Sequence, residues 1–255
     1  MEPARERLRA LERAAVGAWP APETADIDGW LWRYASGGSL RANSVSTLEF
    51  TGDDIAAAIF HVEGRYRAKG APARFTITEV SEPRDLDARL AALGYARGQD
   101  HVTMLKEVAA TREEGAVTLS ARPTPQWLSI YLSGLGPGRA AVAPTILARL
   151  PERRMFFACR LAGEVVASGL CVADGEFASV QCMATRSDAR RRGCARAVLR
   201  AIEAWAAGQG ARHLYLQAEC ANRAAIALYE GFQFRVAGRY HVRCNASEAP
   251  SEAPC

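Results

Sequence analysis

An arginine-rich turn in this 255-residue chain carries the residues best suited to binding an anion. Four arginines lie within residues 190–196 around Gly193, and the turn joins a strand-like run at 179–185 to an amphipathic helix. The first N–H groups of a helix have no intrahelical partner, and the helix dipole adds partial positive charge there. Because Gly193 has no side chain, a phosphate can approach the backbone closely. The turn therefore predicts a phosphate-binding loop, with a spacing unlike that of the P-loop or the dinucleotide fingerprint.

The spacing of Arg190, Gly193 and Ala195 resembles the pyrophosphate-binding loop of the GNAT superfamily of N-acetyltransferases, written Q/R-x-x-G-x-G/A. The strand end before the loop resembles the family's segment whose backbone binds the pantetheine arm. The resemblance implies acetyl-CoA as co-substrate. It assigns acetyl-CoA binding to Met183, Ala184, Thr185, Arg190, Arg191, Arg192, Gly193, Cys194, Ala195, Arg196 and Asn222.

A second segment, 222–232, resembles the family pattern N-x-x-A-x-x-L-Y-x-x-x-G-F, with one residue fewer between the Tyr and the Gly. Asn222 is predicted to cap a helix that Gly231 ends. The resemblance implies that Asn222 contacts the cofactor or the splayed strand, and that Tyr229 donates a proton to the leaving CoA thiolate. A phenol with an ordinary pKa of about 10 suits this role. The alternative for Tyr229 is a core aromatic side chain.

The catalytic base is predicted among two carboxylates. Glu219 closes the strand before Asn222, and Glu176 starts the strand that leads to the loop. Either could accept a proton from an amine directly or through water, and either could be an ordinary surface carboxylate. His213 and His241 are weaker candidates, expected to be structural or solvent-facing.

The seven cysteines form no C-x-x-C pair and no His-flanked cluster, so we expect neither a metal site nor a disulfide framework. Cys194 is the exception to examine, because a helix N-terminus among arginines favours a thiolate. The corresponding family position is usually apolar, which favours packing over reactivity.

Composition indicates an ordinary soluble globular protein. Hydrophobic residues make up 49% of the chain, charged residues 24%, and the net charge is +4. No apolar run approaches the roughly 20 residues that span a bilayer, and the N-terminus lacks the apolar region of a secretory signal. We therefore expect a cytoplasmic protein, a monomer or homodimer, with no membrane or nucleic-acid partner.

The order of predicted elements indicates the fold. Helices are predicted at 125–133 and 140–150, and two short strands at 234–238 and 239–243 end the second half. The complete order, ααβββαβαββ, favours a mixed, mostly antiparallel sheet flanked by helices. The predicted fold class is α/β (α+β), which the resemblance specifies as the GNAT acyl-CoA N-acyltransferase fold.

The first half repeats part of this order, with helices predicted at 53–69 and 86–93 that each precede a strand. Three sets of identical residues share an offset of 140 positions, which predicts two tandem copies. They are Glu63 with Glu203, Gly70-Ala71 with Gly210-Ala211, and Glu79 with Glu219. In the first copy, 48–54 replaces the arginine loop with three carboxylates, so this copy is expected not to bind CoA.

The duplication predicts four regions. These are a degenerate GNAT-like domain at 1–110, a linker at 111–122, a catalytic GNAT domain at 123–245 and a disordered tail at 246–255. An aromatic and polar patch at 30–44 has two interpretations. It is either a surface that faces the acceptor, or a structural turn with its Trp residues in the core and Arg41 paired locally.

The predicted activity is transfer of an acetyl group from acetyl-CoA to an unidentified primary amine by direct attack in a ternary complex. Such a complex gains rate by holding both reactants together. Protein or peptide acetylation and transfer of a longer acyl chain are alternatives within the same chemistry. A non-catalytic CoA-binding sensor or interaction protein is the alternative of another class.

Overall fold

The computed structural model describes residues 2–109, the first half, and 117–245, the second half. The predicted tail and the start of the predicted linker lie outside the described residues. The described helices are α1 Glu2–Gly17, α2 Ile55–Arg67, α3 Leu86–Ala92, α4 Pro125–Ser133, α5 Pro137–Leu147, α6 Cys194–Gly208 and α7 Arg223–Glu230. The described strands are β1 Glu23–Ile27, β2 Trp30–Tyr34, β3 Val45–Ser46, β4 Arg74–Thr78, β5 Ala96–Arg97, β6 His101–Glu107, β7 Val117–Ser120, β8 Arg154–Leu161, β9 Glu164–Asp174, β10 Phe177–Thr185, β11 His213–Glu219 and β12 Arg235–Cys244.

All described strands belong to one mixed sheet. Its order is β1-β2-β3-β4-β12-β6-β11-β10-β9-β8-β7, and β5 pairs with β12. The pairs β3–β4 and β10–β11 are parallel, and the other described pairs are antiparallel. The predicted mixed sheet flanked by helices is confirmed.

The final strands of the two halves, β6 and β12, exchange places at the centre of this sheet. β12 of the second half lies between β4 and β6 of the first. β6 of the first half in turn lies between β12 and β11 of the second, and it pairs with β11 over its whole length. Each half therefore supplies a strand that lies between two strands of the other half and is hydrogen-bonded to both.

The two faces of the sheet carry different helices. In the second half, α6 and α7 pack on one face, over a buried cluster that includes Val198, Ile202 and Leu216. On the opposite face, α1 packs with α4 and α5 in a cluster that includes Leu11 and Trp127. No sequence motif marks α1, yet this helix contributes to the core of the second half.

Two segments differ from the prediction. The predicted linker contains β7, which pairs with β8 and extends the sheet. The two short strands predicted after α7 are one strand, β12, with a register irregularity between Val236 and Gly238. Gly238 suits that position because α1 crosses it, and a Cβ there would lie 2.8 Å from Leu8 Cδ1.

A buried ion pair fastens β6 to the helix of the other half. Lys106 Nζ lies 2.6 Å from Glu203 Oε1, and the two side chains are 7% and 4% exposed. The same Glu203 oxygen accepts a hydrogen bond from the N–H of Ala109 at 2.9 Å. The pair therefore secures the β6 end of the shared sheet against α6.

Replacing Lys106 by Met should lower the free energy of unfolding by about 3 kcal/mol, because it leaves a buried carboxylate without its counter-charge. Urea unfolding followed by circular dichroism measures this change. The control is Arg89→Ala, which removes the exposed pair with Asp85 and should cost less than about 0.5 kcal/mol. A cost for Lys106→Met no larger than the control's would contradict the role of the pair.

Candidate active site

A gap opens between two parallel strands of the second half. β10 and β11 pair only from Phe177 with His213 to Ser179 with Tyr215, although both strands continue beyond that point. β10 then has an irregularity between Gln181 and Ala184, where Cys182 adopts a positive φ of 52°. The predicted cofactor-binding strand end, Met183, Ala184 and Thr185, lies on this diverging segment. The gap therefore leaves backbone groups of β10 without a partner strand on the β11 side.

The arginine loop lies between β10 and α6. A short 3-10 helix, Ser187–Ala189, precedes Arg191, with a φ of 59°, and Gly193, with a φ of 83°. Gly193 is the N-cap of α6 and has no side chain. The first N–H groups of the helix are therefore not bonded to a capping side chain. Arg190, Arg191 and Arg192 are exposed. This geometry fits the predicted phosphate-binding loop.

The neighbouring side chains connect the loop to the second motif. Arg186 is held by Glu164 at 2.8 Å and Asp188 at 2.7 Å, so its charge is engaged locally. The exposed guanidinium of Arg196 lies 5.5 Å from the centre of the Phe232 ring, at the end of the second motif. The two motifs are therefore adjacent in space.

Cys194 is buried at the start of α6 and lies against Cys159. Burial, together with a hydrogen bond to Cys194, raises the pKa of the Cys159 thiol to about 12. The buried position of Cys194 agrees with the packing interpretation. Ala195, the next residue, is half-buried on the first turn.

Asn222 and Tyr229 lie on α7 as the second motif predicts. Asn222 caps the helix, since its Oδ1 accepts a hydrogen bond from the N–H of Ala225 at 3.1 Å. Tyr229 is buried in the cluster under α6 and α7, and burial raises the pKa of its phenol to about 12. A full proton transfer from this phenol to a thiolate of pKa near 8.5 is uphill. A catalytic Tyr229 would therefore stabilise the thiolate through a shared hydrogen bond.

The two predicted bases occupy opposite ends of the β10–β11 pair. Glu219 ends β11 at the open end and lies opposite His101 on β6. Glu176 lies at the closed end, with its carboxylate 3.5 Å from Nδ1 of His213. The structure brings Glu219 to the gap and leaves Glu176 away from it.

The weaker histidine candidates have structural contacts. His213 Nε2 accepts a hydrogen bond from Arg7 at 2.6 Å when its ring is neutral, which ties α1 to β11. His241 Nε2 lies 2.8 Å from Asp87 on α3. Both positions agree with the predicted structural role.

Sequence reasoning missed Glu12, a buried carboxylate on α1. Its Oε1 accepts a hydrogen bond from Thr103 at 2.7 Å, and its Oε2 accepts one from Gln217 Nε2 at 3.3 Å. Burial raises the pKa of Glu12 to about 7, helped by the charge of Glu79 and opposed by the Thr103 hydrogen bond. The sequence carried no signal for this residue, because its partners are far away along the chain.

Glu12 lines a cavity of about 50 Å3 under α1, to which both halves contribute. His101 also lines it, stacked on the Tyr240 ring with centroids 4.7 Å apart. Burial lowers the pKa of His101, and Nδ1 of its ring lies 3.0 Å from the carbonyl oxygen of Gln99. The neutral ring donates from Nδ1 to that carbonyl, which leaves Nε2 as a proton acceptor.

The 30–44 patch divides between the two predicted interpretations. Trp30 and Trp32 are buried in the core of the first half. The amide of Asn43 holds the turn through hydrogen bonds with Ala35, Gly37 and Ser39. These residues are structural.

Arg41 of the same patch instead lines the cavity, with its guanidinium 4.9 Å from the centre of the Trp19 ring. Its positive charge acts to lower the pKa of Cys182 in the β10 irregularity, and it does the same for Tyr215 and Tyr240. Arg41 therefore lies within electrostatic reach of both the gap and the cavity.

Residues 2–109 and 117–245 contain neither a cluster suited to a metal ion nor a helix suited to a membrane. No group of three or more His, Cys, Asp or Glu side chains there is arranged to hold a metal ion. In the same part of the chain, no helix combines the length and the apolar character needed to cross a bilayer.

The chain is similar to known acetyltransferases along most of its length. The model of the family described as probable histone acetyltransferase Rv0428c C-terminal matches residues 6–244. The uncharacterized N-acetyltransferase YobR of Bacillus subtilis is 29% identical over 247 residues, which cover 92% of this chain and 98% of YobR. The probable histone acetyltransferase Rv0428c of Mycobacterium tuberculosis is 28% identical over 236 residues, which cover 91% of this chain and 73% of that protein.

Solved structures share the fold at low sequence identity. A GCN5-related N-acetyltransferase from Kribbella flavida superposes with a TM-score of 0.69 at 12% identity, covering 94% of this chain and 95% of that one. A tandem GNAT protein from the clavulanic acid biosynthesis pathway superposes with a TM-score of 0.61 at 12% identity, covering 82% and 76%. The chain therefore belongs to the family of the C-terminal region of the probable histone acetyltransferase Rv0428c, and it is a GNAT-type N-acetyltransferase.

Proposed function

We propose that the second half binds acetyl-CoA and transfers its acetyl group to a primary amine by direct attack in a ternary complex. The observation that carries this proposal is the gap between β10 and β11, which opens beside the uncapped N-terminus of α6 at Gly193. The pyrophosphate would lie against the loop at 190–196, and the pantetheine arm would lie along Met183 to Thr185. We propose a cytoplasmic location and a monomer or homodimer.

The reaction needs four changes at the thioester. The lone pair of a neutral amine attacks the carbonyl carbon, and the oxyanion that forms is stabilised by N–H groups of the β10 irregularity. The C–S bond then breaks, and the amide nitrogen loses one proton to a base. The departing thiolate gains one proton, so the sum is an amide and free CoA. Tyr229 is proposed to donate a hydrogen bond that stabilises the sulfur, the proton that the thiolate gains comes from solvent, and Glu219 is the predicted base nearest the gap.

The first half is proposed to be a degenerate copy that binds no CoA. The offset of 140 positions relates Asp54 to Cys194, at the start of α6. Asp54 caps α2, and its Oδ1 accepts hydrogen bonds from the N–H groups of Ala56 and Ala57 at 2.9 and 3.0 Å. A carboxylate thus occupies the N–H groups to which a phosphate would bind, whereas Gly193 leaves those of α6 open. These contacts support one CoA per chain.

The identity of the acceptor has a macromolecular alternative. One relative bears the name probable histone acetyltransferase, which makes protein lysine acetylation the second candidate function. A longer acyl chain on CoA is compatible with the same chemistry.

Replacing Gly193 by Glu should weaken CoA binding at least tenfold, because a negative charge is placed against the pyrophosphate and a non-glycine residue is forced to a φ of 83°. Isothermal titration calorimetry with CoA measures the affinity. Gly193→Asn is the matched control. Asn tolerates the left-handed conformation, and a Cβ at this position meets no atom within 4 Å. CoA affinity unchanged in Gly193→Glu would refute the loop assignment.

Acetyl-CoA with a panel of amines should release free thiol, and Tyr229→Phe should lower kcat about 100-fold if the phenol stabilises the thiolate. Thiol titration measures the rate. Tyr95→Phe is the control, because this phenol donates to Glu63 in the first half and has no part in the proposed chemistry. Tight CoA binding without thiol release for any amine would favour the sensor.

A further inference from the structure

Two arginines, Arg33 and Arg41, line the cavity under α1, and groups of the protein itself engage one of them. Arg33 donates hydrogen bonds to the carbonyl oxygens of Val16 and Trp19, so its guanidinium is engaged by the backbone. Arg41 stacks on the Trp19 ring, and within the described part of the chain no carboxylate forms an ion pair with it. Arg41 is therefore a half-buried cation without an anionic partner among residues 2–109 and 117–245.

The groups on which the Arg41 charge acts include the Arg33 guanidinium and the His101 ring. The others are neutral groups around the gap. They comprise the thiol of Cys182 and the phenols of Tyr131, Tyr215 and Tyr240. A second cation, Arg139, acts on Cys182 and Tyr131 as well. A partly desolvated cation is stabilised by an anion. The space beside the β10 irregularity therefore favours a ligand with a negative group.

The two strands that border the gap instead favour a ligand with an N–H donor. Gln181 of β10 and Gln217 of β11 each lie two residues beyond the last paired residues of the two strands. Gln181 Nε2 donates to the carbonyl oxygen of Ala18 at 2.9 Å, which fixes the orientation of its amide. Its buried Oε1 has no hydrogen-bond partner in the described structure. This oxygen requires an N–H donor, and an amine supplies one.

Glu12 adds negative charge on the same side. Gln217 Nε2 donates to its carboxylate at 3.3 Å, and Thr103 donates at 2.7 Å. The ionisable groups that act on Glu12 or on which it acts include Glu79, Tyr215 and Tyr240. Arg33, Arg41 and His101 line the same cavity. An ammonium at this position would balance the charge that burial makes costly.

We propose that the acceptor is a small molecule of the amino-acid type, with its carboxylate on Arg41, its amine on Glu12, and a small side chain in the cavity that these residues line. This proposal rests on the proposed acetyl transfer. The size of the cavity, about 50 Å3, fits a short side chain. The apolar residues that line it are Ala15, Val16, Leu40, Leu48 and Val242.

The bound ammonium must lose a proton before it attacks. Glu12 can accept that proton, which leaves a neutral amine and a protonated carboxyl group. No further reactant is needed for this step, and the proton returns to solvent after the amide leaves.

The test compares amines that differ only in the negative group. Thiol release from acetyl-CoA is measured with L-alanine, alanine methyl ester, alaninamide, 2-aminoethyl phosphate, L-phenylalanine and a lysine-containing peptide. We expect kcat/KM for alanine to exceed that for its ester and amide at least tenfold. We expect phenylalanine and the aminoethyl phosphate to be poorer substrates than alanine.

Two variants assign the preference to the named residues. Arg41→Gln should raise KM for alanine at least tenfold and leave the methyl ester unchanged, whereas Arg41→Lys should retain part of the preference. Glu12→Gln should lower kcat for alanine and leave CoA affinity unchanged. CoA titration of every variant tests whether the donor site is intact.

The outcomes separate this proposal from the proposed function. Equal kcat/KM values for alanine and its ester would overturn the amino-acid acceptor while acetyl transfer stands. The same conclusion would follow if the lysine peptide were the best substrate and its kcat/KM did not change in Arg41→Gln. A higher kcat/KM for 2-aminoethyl phosphate than for alanine would overturn the carboxylate as the negative group of the acceptor and indicate a phosphate. Absence of CoA binding in the unmodified protein would overturn the proposed function itself.

Discussion

The pairing of β6 between β12 and β11 is the constraint on which the rest of the structure depends. Since β12 likewise lies between β4 and β6, neither half can complete its sheet without the other. The buried pair of Lys106 and Glu203 then fixes β6 against α6. This arrangement places strand residues of the first half next to β11, the strand that borders the gap in the second. The candidate site is consequently a property of the shared sheet and not of one half.

The position of α1 follows from the same constraint. The helix belongs to the first half, but it packs against the second and crosses the shared strands at Gly238. Its carboxylate at Glu12 therefore reaches Thr103 of β6 and Gln217 of β11 at once. Burial holds that carboxylate near a pKa of 7, a value suited to proton exchange in neutral solution. The cavity and the gap thus lie on one continuous face under α1.

Local patterns predicted the elements whose chemistry depends on neighbours in sequence. The uncapped start of α6 at Gly193 and the cap of α7 at Asn222 required only a few adjacent residues, and the structure has both. Glu12 could not be found in this way, because 205 positions separate it from Gln217. The continuity of β12 was missed for a similar reason. Pairing with β4 and β6 carries this strand through its irregularity, and those strands lie more than 100 residues earlier.

The starts of α2 and α6 differ in the charge placed against their first N–H groups. A helix N-terminus attracts negative charge whether the charge is a ligand or a side chain. At α2 the chain supplies its own carboxylate, Asp54, and the first N–H groups are satisfied without a ligand. At α6 the N-cap is Gly193, and the exposed arginines around it add positive charge that nothing in the described loop neutralises at Arg190 or Arg191. The start of α2 therefore has no electrostatic need for a phosphate, whereas the start of α6 has no capping side chain.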